Sequence, residues 1–597
     1  MIDAYRPRHG LVTAGTFSFG DFELDLAANE LRCGNGAIRL QRIPMELLAL
    51  LVARAGDVVT RGEIVERLWG KDAFIDVEAS INTAMRKLRR ALQDDVDHPS
   101  YVLTIPAKGY RFIAQVTYSD AAAAGGSARD SSPIVLAVLP FEYVNADPED
   151  EYFADGLTEE TIAALGRVSP EHLVVIARRS TIAYKGTAKG VEEIGSELGV
   201  DYLVDGSIRR EARRIRVNAK LIRVRGQSQI WSASYDREAG SFLGLQDELG
   251  VAIAERVRLR LSPERAAGLA GGGTRNAEAY DLYLRGRFCM FQVTPAASRK
   301  AVEYFERAAQ LDPGYALAYA GLADVYVNLP VNSDADPKPC WRKAREAAER
   351  AVALDDQLAE AHTSLGLQKF WLGWDWPGAE QCFRRALELE PNFAWAELTL
   401  AVVLSGAGRH DESAAAMSRC LALDPVSPLA HAVAGQHLFQ ARANSAALER
   451  LRYALAIDGE FWISHIVMGK VYEQLGRPAA ALDACQQALA YSGGNTEALS
   501  LKGYVLATTG RGAEAEDVMA ALERIAVDKF VPPYNIALVA AGLGDARLAF
   551  EWLEKAYEAR DVHMVFLPVD PKWDAYRRDE RFRSLLRRCG LPAATPG

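Results

Sequence analysis

The chain has 597 residues, too many for one hydrophobic core, so three or more folding units are expected. Hydrophobic residues make up 49% and charged residues 25%, a balance that excludes a disordered or fibrous chain. The net charge of −10 at pH 7 excludes bulk attraction to nucleic acid and leaves room only for a locally cationic module. Seven cysteines (33, 289, 340, 382, 420, 485 and 589) are scattered without CxxC spacing, and their odd number argues against a secreted disulfide framework. The first residues, MIDAYRPRHGLVTAG, lack the apolar core of a signal peptide. The longest apolar runs, Leu47–Val52 and Ile134–Phe141, fall far short of the ~20 residues that a membrane span needs. A cytoplasmic protein with no membrane segment is expected.

From Phe17 to Gln41, short alternating runs are broken at Asn29 and at Gly34-Asn35-Gly36, which predicts a small antiparallel sheet with tight turns. Three helices follow. The first opens with Pro44, a good first helical residue, and stops at Gly56. The second starts on the capping box Thr60-Arg61-Gly62-Glu63, buries Ile64, Val65, Leu68 and Trp69, and stops at Gly70. The third runs from about Val77 to Leu92. In it Ile81, Met85, Leu88 and Leu92 form one buried stripe. At about 100° per residue the opposite face carries Ala79, Thr83, Arg86, Lys87 and Arg90, with Arg89 at its margin. A hairpin over Tyr101–Val116 turns around Ala107-Lys108-Gly109.

The order sheet, three helices, hairpin, with MELLALLVARAGDVVTRGEIVERLWG, INTAMRKLRRAL and YVLTIPAKGYRF, resembles the OmpR/PhoB-type winged-helix domain over about Phe17–Val116. The resemblance implies that the third helix enters the major groove of promoter DNA and that the hairpin is the wing. By position, Thr83 and Lys87 face bases, Ser80, Arg86 and Arg90 hold phosphates, and Lys108 and Arg111 touch the adjacent groove. Ala79 and Ala84 stand where many relatives carry a basic or histidine side chain, so two contacts are expected to be missing. Only some 16 residues of the sequence precede this domain, so no receiver domain is expected before it, and the arrangement resembles that of CadC/HilA-like regulators without the membrane span.

Ser119–Ser132 and Gly268–Thr274 have linker composition. They divide the chain into residues 1–118, 133–266 and 276–597. The middle segment alternates strand-like and helix-like stretches: IVLAVLPF, a helix over Asp155–Leu165 with Thr158 and Glu160 near its start, LVVIAR, a helix over Val191–Leu198, three strands from YLVDGSIRR to QIWSASYDR, and a helix over Phe242–Leu261. A small α/β sheet module is expected, similar to TolB-like amino-terminal domains. Asp155, Glu159 and Glu160 read as acids favoured by a helix amino terminus. Arg209, Arg210, Arg213, Arg214 and Arg216 read as a solvated turn.

The remainder is repetitive. Small residues recur every 34 positions at Ala379, Ser413, Ala447, Ala481, Ala515 and Ala549. A second series lies seven later, at Ala386, Cys420, Ala454, Ala488 and Ala556, with Leu522 as the exception. Gly366, Gly435, Gly469 and Gly503 mark the preceding helix of their units. This pattern resembles the tetratricopeptide repeat (TPR) over Asn276 to about Arg560, some eight units, and implies an all-α solenoid whose groove takes a protein or peptide partner. Asp570–Arg588 is expected to be a polar-faced capping helix. His362, His431 and His465 occupy equivalent repeat positions.

No Walker loop, HExxH, G-x-S-x-G, kinase or Rossmann fingerprint is found, so neither catalytic, cofactor nor metal residues are assigned. The expectation is a multidomain, sequence-specific transcriptional regulator: winged helix (α+β), α/β module and TPR solenoid. Its expected partners are double-stranded promoter DNA, a groove-bound protein and RNA polymerase, with dimerisation on DNA. The alternatives are a scaffold with a degenerate winged helix and a ligand sensor built on the α/β module.

Overall fold

The computed structural model describes residues 16–591, apart from 26–29, 34–35, 39, 41, 70–76, 97, 107, 120–132, 145–150, 169, 212–213, 239–244, 258–272, 293 and 333. The expected linkers therefore lie largely outside the described residues. The chain forms two compact units, Met1–Ser131 and Ser132–Gly597.

In the first unit, strands β1 (Thr16–Phe19), β2 (Phe22–Asp25), β3 (Glu30–Cys33) and β4 (Gly36–Ile38) form an antiparallel meander. Helices α1 (Arg42–Ala53), α2 (Arg61–Trp69) and α3 (Val77–Leu92) follow, with β5 (Val58–Thr60) between the first two. Strands β6 (Val102–Ile105) and β7 (Gly109–Phe112) make the hairpin, and β7 also pairs with β5. A last strand, β8 (Thr117–Ser119), returns to pair with β1, placing Thr16 opposite Ser119. The sequence reading put the linker's start at Ser119; here that residue belongs to the sheet.

The core of this unit confirms the helical periodicity. Ile81, Met85, Leu88 and Leu92 are buried against Leu47, Leu48, Leu51 and Phe112. Each such side chain contributes roughly 1.5–3 kcal/mol through burial. The capping box is also present. Thr60 N donates to Glu63 Oε2 at 2.7 Å and Glu63 N donates to Thr60 Oγ1 at 3.3 Å. Arg54 adds an ion pair at 2.7 Å. The Thr60 backbone N–H and then Arg54 pull the Glu63 carboxyl down to about 2.

The second unit opens with a mixed sheet ordered β11-β9-β12-β13-β14. Strands β9 (Ile134–Val138), β11 (Leu173–Val175) and β12 (Tyr202–Glu211) run parallel, while β13 (Arg214–Arg223) and β14 (Ser228–Glu238) continue antiparallel. The short β10 (Glu142–Tyr143) follows β9 along the same edge of β12. Helices α4 (Glu151–Val168), α5 (Arg178–Thr181), α6 (Val191–Leu198) and α7 (Leu245–Arg256) complete the module.

Among the described residues, sixteen helices then pair as eight hairpins: α8 (Ala277–Phe291) with α9 (Pro295–Leu311), α10 (Ala316–Asn332) with α11 (Pro337–Leu354), and α12 (Ala359–Gln368) with α13 (Trp376–Leu389). The series continues through α14 (Ala394–Gly406) and α15 (His410–Leu423), α16 (Pro428–Gln440) and α17 (Asn444–Ile457), and α18 (Trp462–Gln474) and α19 (Pro478–Ser492). It ends with α20 (Thr496–Thr508) and α21 (Gly512–Asp528), then α22 (Pro533–Gly542) and α23 (Ala546–Ala559). The small-residue series is buried at the crossings. A Cβ on Gly366 would stand 2.5 Å from the Phe383 ring, and one on Gly435 would stand 2.7 Å from Leu451. The three equivalent histidines share one contact, each Nε2 lying 2.9–3.0 Å from a carbonyl six residues earlier.

Three local expectations are corrected. Helix α4 begins at Glu151, so Asp155 and Thr158 lie inside it; Thr158 Oγ1 donates to Ala154 O and accepts from Phe141 N rather than capping a start. Asp570–Arg588 is a 3-10 segment, Pro571–Tyr576, followed by helix α24 (Glu580–Arg588), because Asp579 caps a new start with its side chain on Arg581 N. The tail is also no mere polar cap, since Trp573 is wholly buried and donates to Tyr534 Oη at 2.9 Å.

Two features join parts that the sequence reading kept separate. One continuous core holds Leu157 of α4, Leu221 of the sheet and Tyr283, Phe305 and Tyr315 of the first hairpins. The array also curls back on itself: Thr496 at the start of α20 donates to Asp334, just past α10, at 2.8 Å, and the Phe566 ring sits 5.6 Å from Trp371. A solenoid held only by neighbouring repeats would make neither contact.

Candidate nucleic-acid interface and the covered groove

Helix α3 has a buried side and an exposed side because its apolar residues keep the helical period. Thr83, Arg86, Lys87 and Arg90 are all exposed on the side away from the core. Ser80 lies in the first turns of the same helix, but its side chain is outside the described set, as is that of Ala79. Lys108 is exposed in the hairpin turn. Arg111 is half-buried in β7, the central strand of its sheet, opposite Val58 and Leu103. The structure thus brings Thr83, Arg86, Lys87 and Arg90 onto one surface, with Lys108 and Arg111 on the hairpin.

Two neighbours depart from the sequence reading. Ala84 is buried at 4% exposure, so it is a packing residue and not a lost contact. Arg89 turns inward, its Nη2 donating to Val102 O and Thr104 Oγ1, both at 2.8 Å. That bond ties the end of α3 to β6. Asp94 reinforces it by accepting from the backbone N–H groups of Ser100, Tyr101 and Val102 at 2.7–2.9 Å. Tyr110 Oη donates to Asn82 Oδ1 at 3.3 Å, linking β7 to the same helix. Helix and hairpin are therefore held in fixed relation, which a two-part reader of DNA requires. Arg89 was detectable from its spacing to Met85 and Leu92; Asp94 had no such signal.

In the second unit, the module covers part of the groove side of the helical array. Ala177 N donates to Leu423 O at 2.8 Å, Ser180 Oγ donates to Asp424 Oδ1 at 2.6 Å, and Asn392 Nδ2 donates to the carbonyls of Pro170 and Leu173. Between module and helices lies a cavity of 830 Å3, mostly apolar in lining. The acids that looked like helix-start residues stand in its wall. Asp155 pairs with Arg178 at 3.1 Å and Lys185 at 2.7 Å, and Glu159 pairs with Arg287 of α8. Burial pushes Glu160 up to about 7 and Glu390 up to about 8. The arginines of the β12–β13 hairpin are partly neutralised, Arg214 and Arg216 both pairing with Asp236 on β14. Among the described residues no group of His, Cys, Asp and Glu is arranged to hold a metal ion. No described helix is long and apolar enough to cross a membrane.

Comparison with known proteins places families on these parts. Residues 35–112 match the family of transcriptional regulatory proteins, C terminal. Residues 132–250 match the second domain of HilA/YgeH-like transcriptional regulators, and residues 398–460 and 466–528 match tetratricopeptide repeats. Fold, exposed helix face and these matches define the class: a DNA-binding transcriptional regulator with a TPR region.

Among individual relatives, the transcriptional regulator HilA of Salmonella typhimurium (strain LT2) is 24% identical over 413 residues, covering 68% of this chain and 70% of that protein. A Rhizobium meliloti (strain 1021) protein that carries the name adenylate cyclase 3 is 35% identical over 238 residues, 40% of each chain. The Klebsiella pneumoniae RstA DNA-binding domain, solved with its RstA box, is 27% identical and covers 16% of this chain and 96% of that one, with a TM-score of 0.15.

Proposed function

We propose that the chain binds promoter DNA in a sequence-specific way, with α3 in the major groove and the β6–β7 hairpin as the wing. Thr83 and Lys87 face bases, Ser80, Arg86 and Arg90 hold phosphates, and Lys108 and Arg111 reach the neighbouring groove. The observation that carries this reading is the exposed row Thr83, Arg86, Lys87, Arg90 opposite the buried stripe Ile81, Met85, Leu88, Leu92. The burial of Ala84 supports it too, by removing one reason to regard the helix as degenerate.

In this reading the three segments 1–118, 133–266 and 276–597 divide the work in a cytoplasmic protein. The first binds DNA, as a dimer on tandem sites. The TolB-like middle module and the TPR array receive a protein partner or signal, and RNA polymerase is contacted at the promoter. The test is fluorescence anisotropy of the full chain on DNA from its own upstream region, against scrambled DNA and across a salt series. Sequence preference that disappears in Arg86→Ala/Lys87→Ala supports the proposal. Equal, weak binding to both DNAs by the unaltered chain overturns its sequence-specific part.

A further inference from the structure

The cavity between module and solenoid holds 830 Å3, within the roughly 300–1,000 Å3 range of small-molecule sites. Among the described residues its wall carries ten carboxyl side chains against five from Arg and Lys. Each of those five cations is matched. Arg178 pairs with Asp155 at 3.1 Å, Lys185 with Glu151 at 2.8 Å, Lys470 with Glu497 at 2.8 Å, and Arg287 with Glu159. Asp424 is the leading opposite charge on Arg179. No cation of the wall is left for Glu160, Asp324, Glu360, Glu390 or Asp458. Asp458 stands in an exposed turn, where it accepts from Glu460 N at 3.0 Å. The other four meet where α4 faces the solenoid.

Glu160 comes from α4, Asp324 from α10, Glu360 from α12 and Glu390 from the end of α13. Glu360 repels each of the other three, and a Cβ on Gly166 of α4 would stand 3.2 Å from Glu390 Oε1. Glu160, Glu360 and Glu390 make no side-chain hydrogen bond or ion pair among the described residues, and Asp324 Oδ1 is buried with no partner. Arg167, outside the described lining, only moderates the repulsion. Burial raises Asp324 to about 6, Glu160 to about 7 and Glu390 to about 8. Near neutral pH Asp324 is thus ionised, while Glu160 and Glu390 hold protons that an arriving cation releases. Acceptors without donors call for N–H groups as well as positive charge. Among the described residues no His, Cys, Asp and Glu are grouped to hold a metal ion, and the lining is mostly apolar. Trp371, Phe393 and Trp395 add aromatic faces, which receive a cation or an aromatic body.

We propose that this cavity binds a protonated organic amine with an apolar or aromatic body, its ammonium group among Glu160, Asp324, Glu360 and Glu390 and its body against the aromatic wall. Glu160 belongs to the module and the other three to the solenoid, so such a ligand bridges them. The proposal stands independently of DNA binding.

The test uses the full chain near neutral pH and three fluorescent probes that share one dansyl body: cationic dansyl-ethylenediamine, neutral N-propyl-dansylamide and anionic N-dansylglycine. The expected result is saturable binding of one cationic probe, at least tenfold tighter than the neutral one, with the anionic probe weakest. Octylamine displaces it, and neither octanoate nor magnesium chloride does. Glu360→Gln weakens the cationic probe by at least tenfold and leaves the neutral probe within about threefold. Binding of all three probes within about threefold of one another overturns the proposal, as does the absence of saturable binding by the cationic probe. Equal effects of Glu360→Gln on the cationic and neutral probes overturn it too, as does displacement by magnesium chloride as readily as by octylamine. If Glu360→Gln fails to fold, the three-probe comparison and the octylamine–octanoate contrast on the unaltered chain still decide it.

Discussion

Ser180 and Asp424, 244 positions apart, share a buried hydrogen bond of 2.6 Å, and the same hydroxyl accepts from Val426 N at 2.8 Å. One side chain of the sheet module thus satisfies both a carboxylate and a backbone N–H at the end of a solenoid helix. Both residues are almost fully buried, so neither polar group has water as an alternative partner.

Ser180→Ala should therefore destabilise the second unit by about 1–3 kcal/mol, since it strands two buried groups. Urea unfolding followed by far-UV circular dichroism measures the loss. Limited proteolysis should show the module released earlier than the helices. An unchanged midpoint and cleavage pattern would mean that the contact does not hold the module in place.

Arg86→Ala should weaken DNA binding on specific and scrambled DNA alike, and should reduce the slope of log affinity against log salt by about 1. Thr83→Ala should instead act on the cognate sequence alone, costing roughly 1–3 kcal/mol there. Anisotropy titrations at several salt concentrations separate the two patterns. The reverse assignment would exchange the proposed phosphate and base roles.

Gly109 opens β7 at a φ of +156°, and a Cβ there would stand 2.1 Å from the carbonyl oxygen of Val59. Gly109→Ala should thus force β7 away from β5, at a cost of about 1–3 kcal/mol from overpacking. Its amide exchange should rise selectively across Val58–Thr60. Retention of protection there would show that the hairpin adjusts without breaking the pairing.

Glu390 carries a pH prediction. Burial raises its carboxyl to about 8, the neighbouring Glu360 adding to the shift and Arg167 opposing it. The unfolded chain loses this proton near 4.5, whereas the folded chain keeps it to about 8. The unfolded state thus binds fewer protons between those values, so stability falls as pH rises through that window and then levels. Glu390→Gln should remove part of the fall and gain more than about 1 kcal/mol at pH 9 relative to pH 5. Urea midpoints at the two pH values test this, and parallel changes in both proteins would refute it.

Much of the helical architecture was legible in the chain itself, for a local reason. Periods of 3.6 and of 34 residues are properties of neighbouring positions, and they place Ile81, Met85, Leu88 and Leu92 in the core of α3 and Ala379 to Ala549 at helix crossings without any distant partner. The capping box at Thr60 and Glu63 is local in the same sense. Such patterns also separate Thr83, Arg86, Lys87 and Arg90 from the buried stripe. They do not say that Arg89 turns inward, because its partners Val102 and Thr104 belong to the following hairpin.

What only the tertiary structure decided depends on residues far apart in the chain. Asp155, Arg178, Arg287 and Trp395 carry no mutual spacing that a sequence period can reveal, and Asp155 and Glu159 look like ordinary acids near a helix start until α5 and α8 bring cations to them. The same holds for Asp334 with Thr496 and for Ser180 with Asp424. Sequence alone determined which faces of which helices are apolar, since that follows from backbone geometry. The fold decided which distant charges meet across those faces, because burial leaves each buried charge dependent on the partners that packing happens to supply.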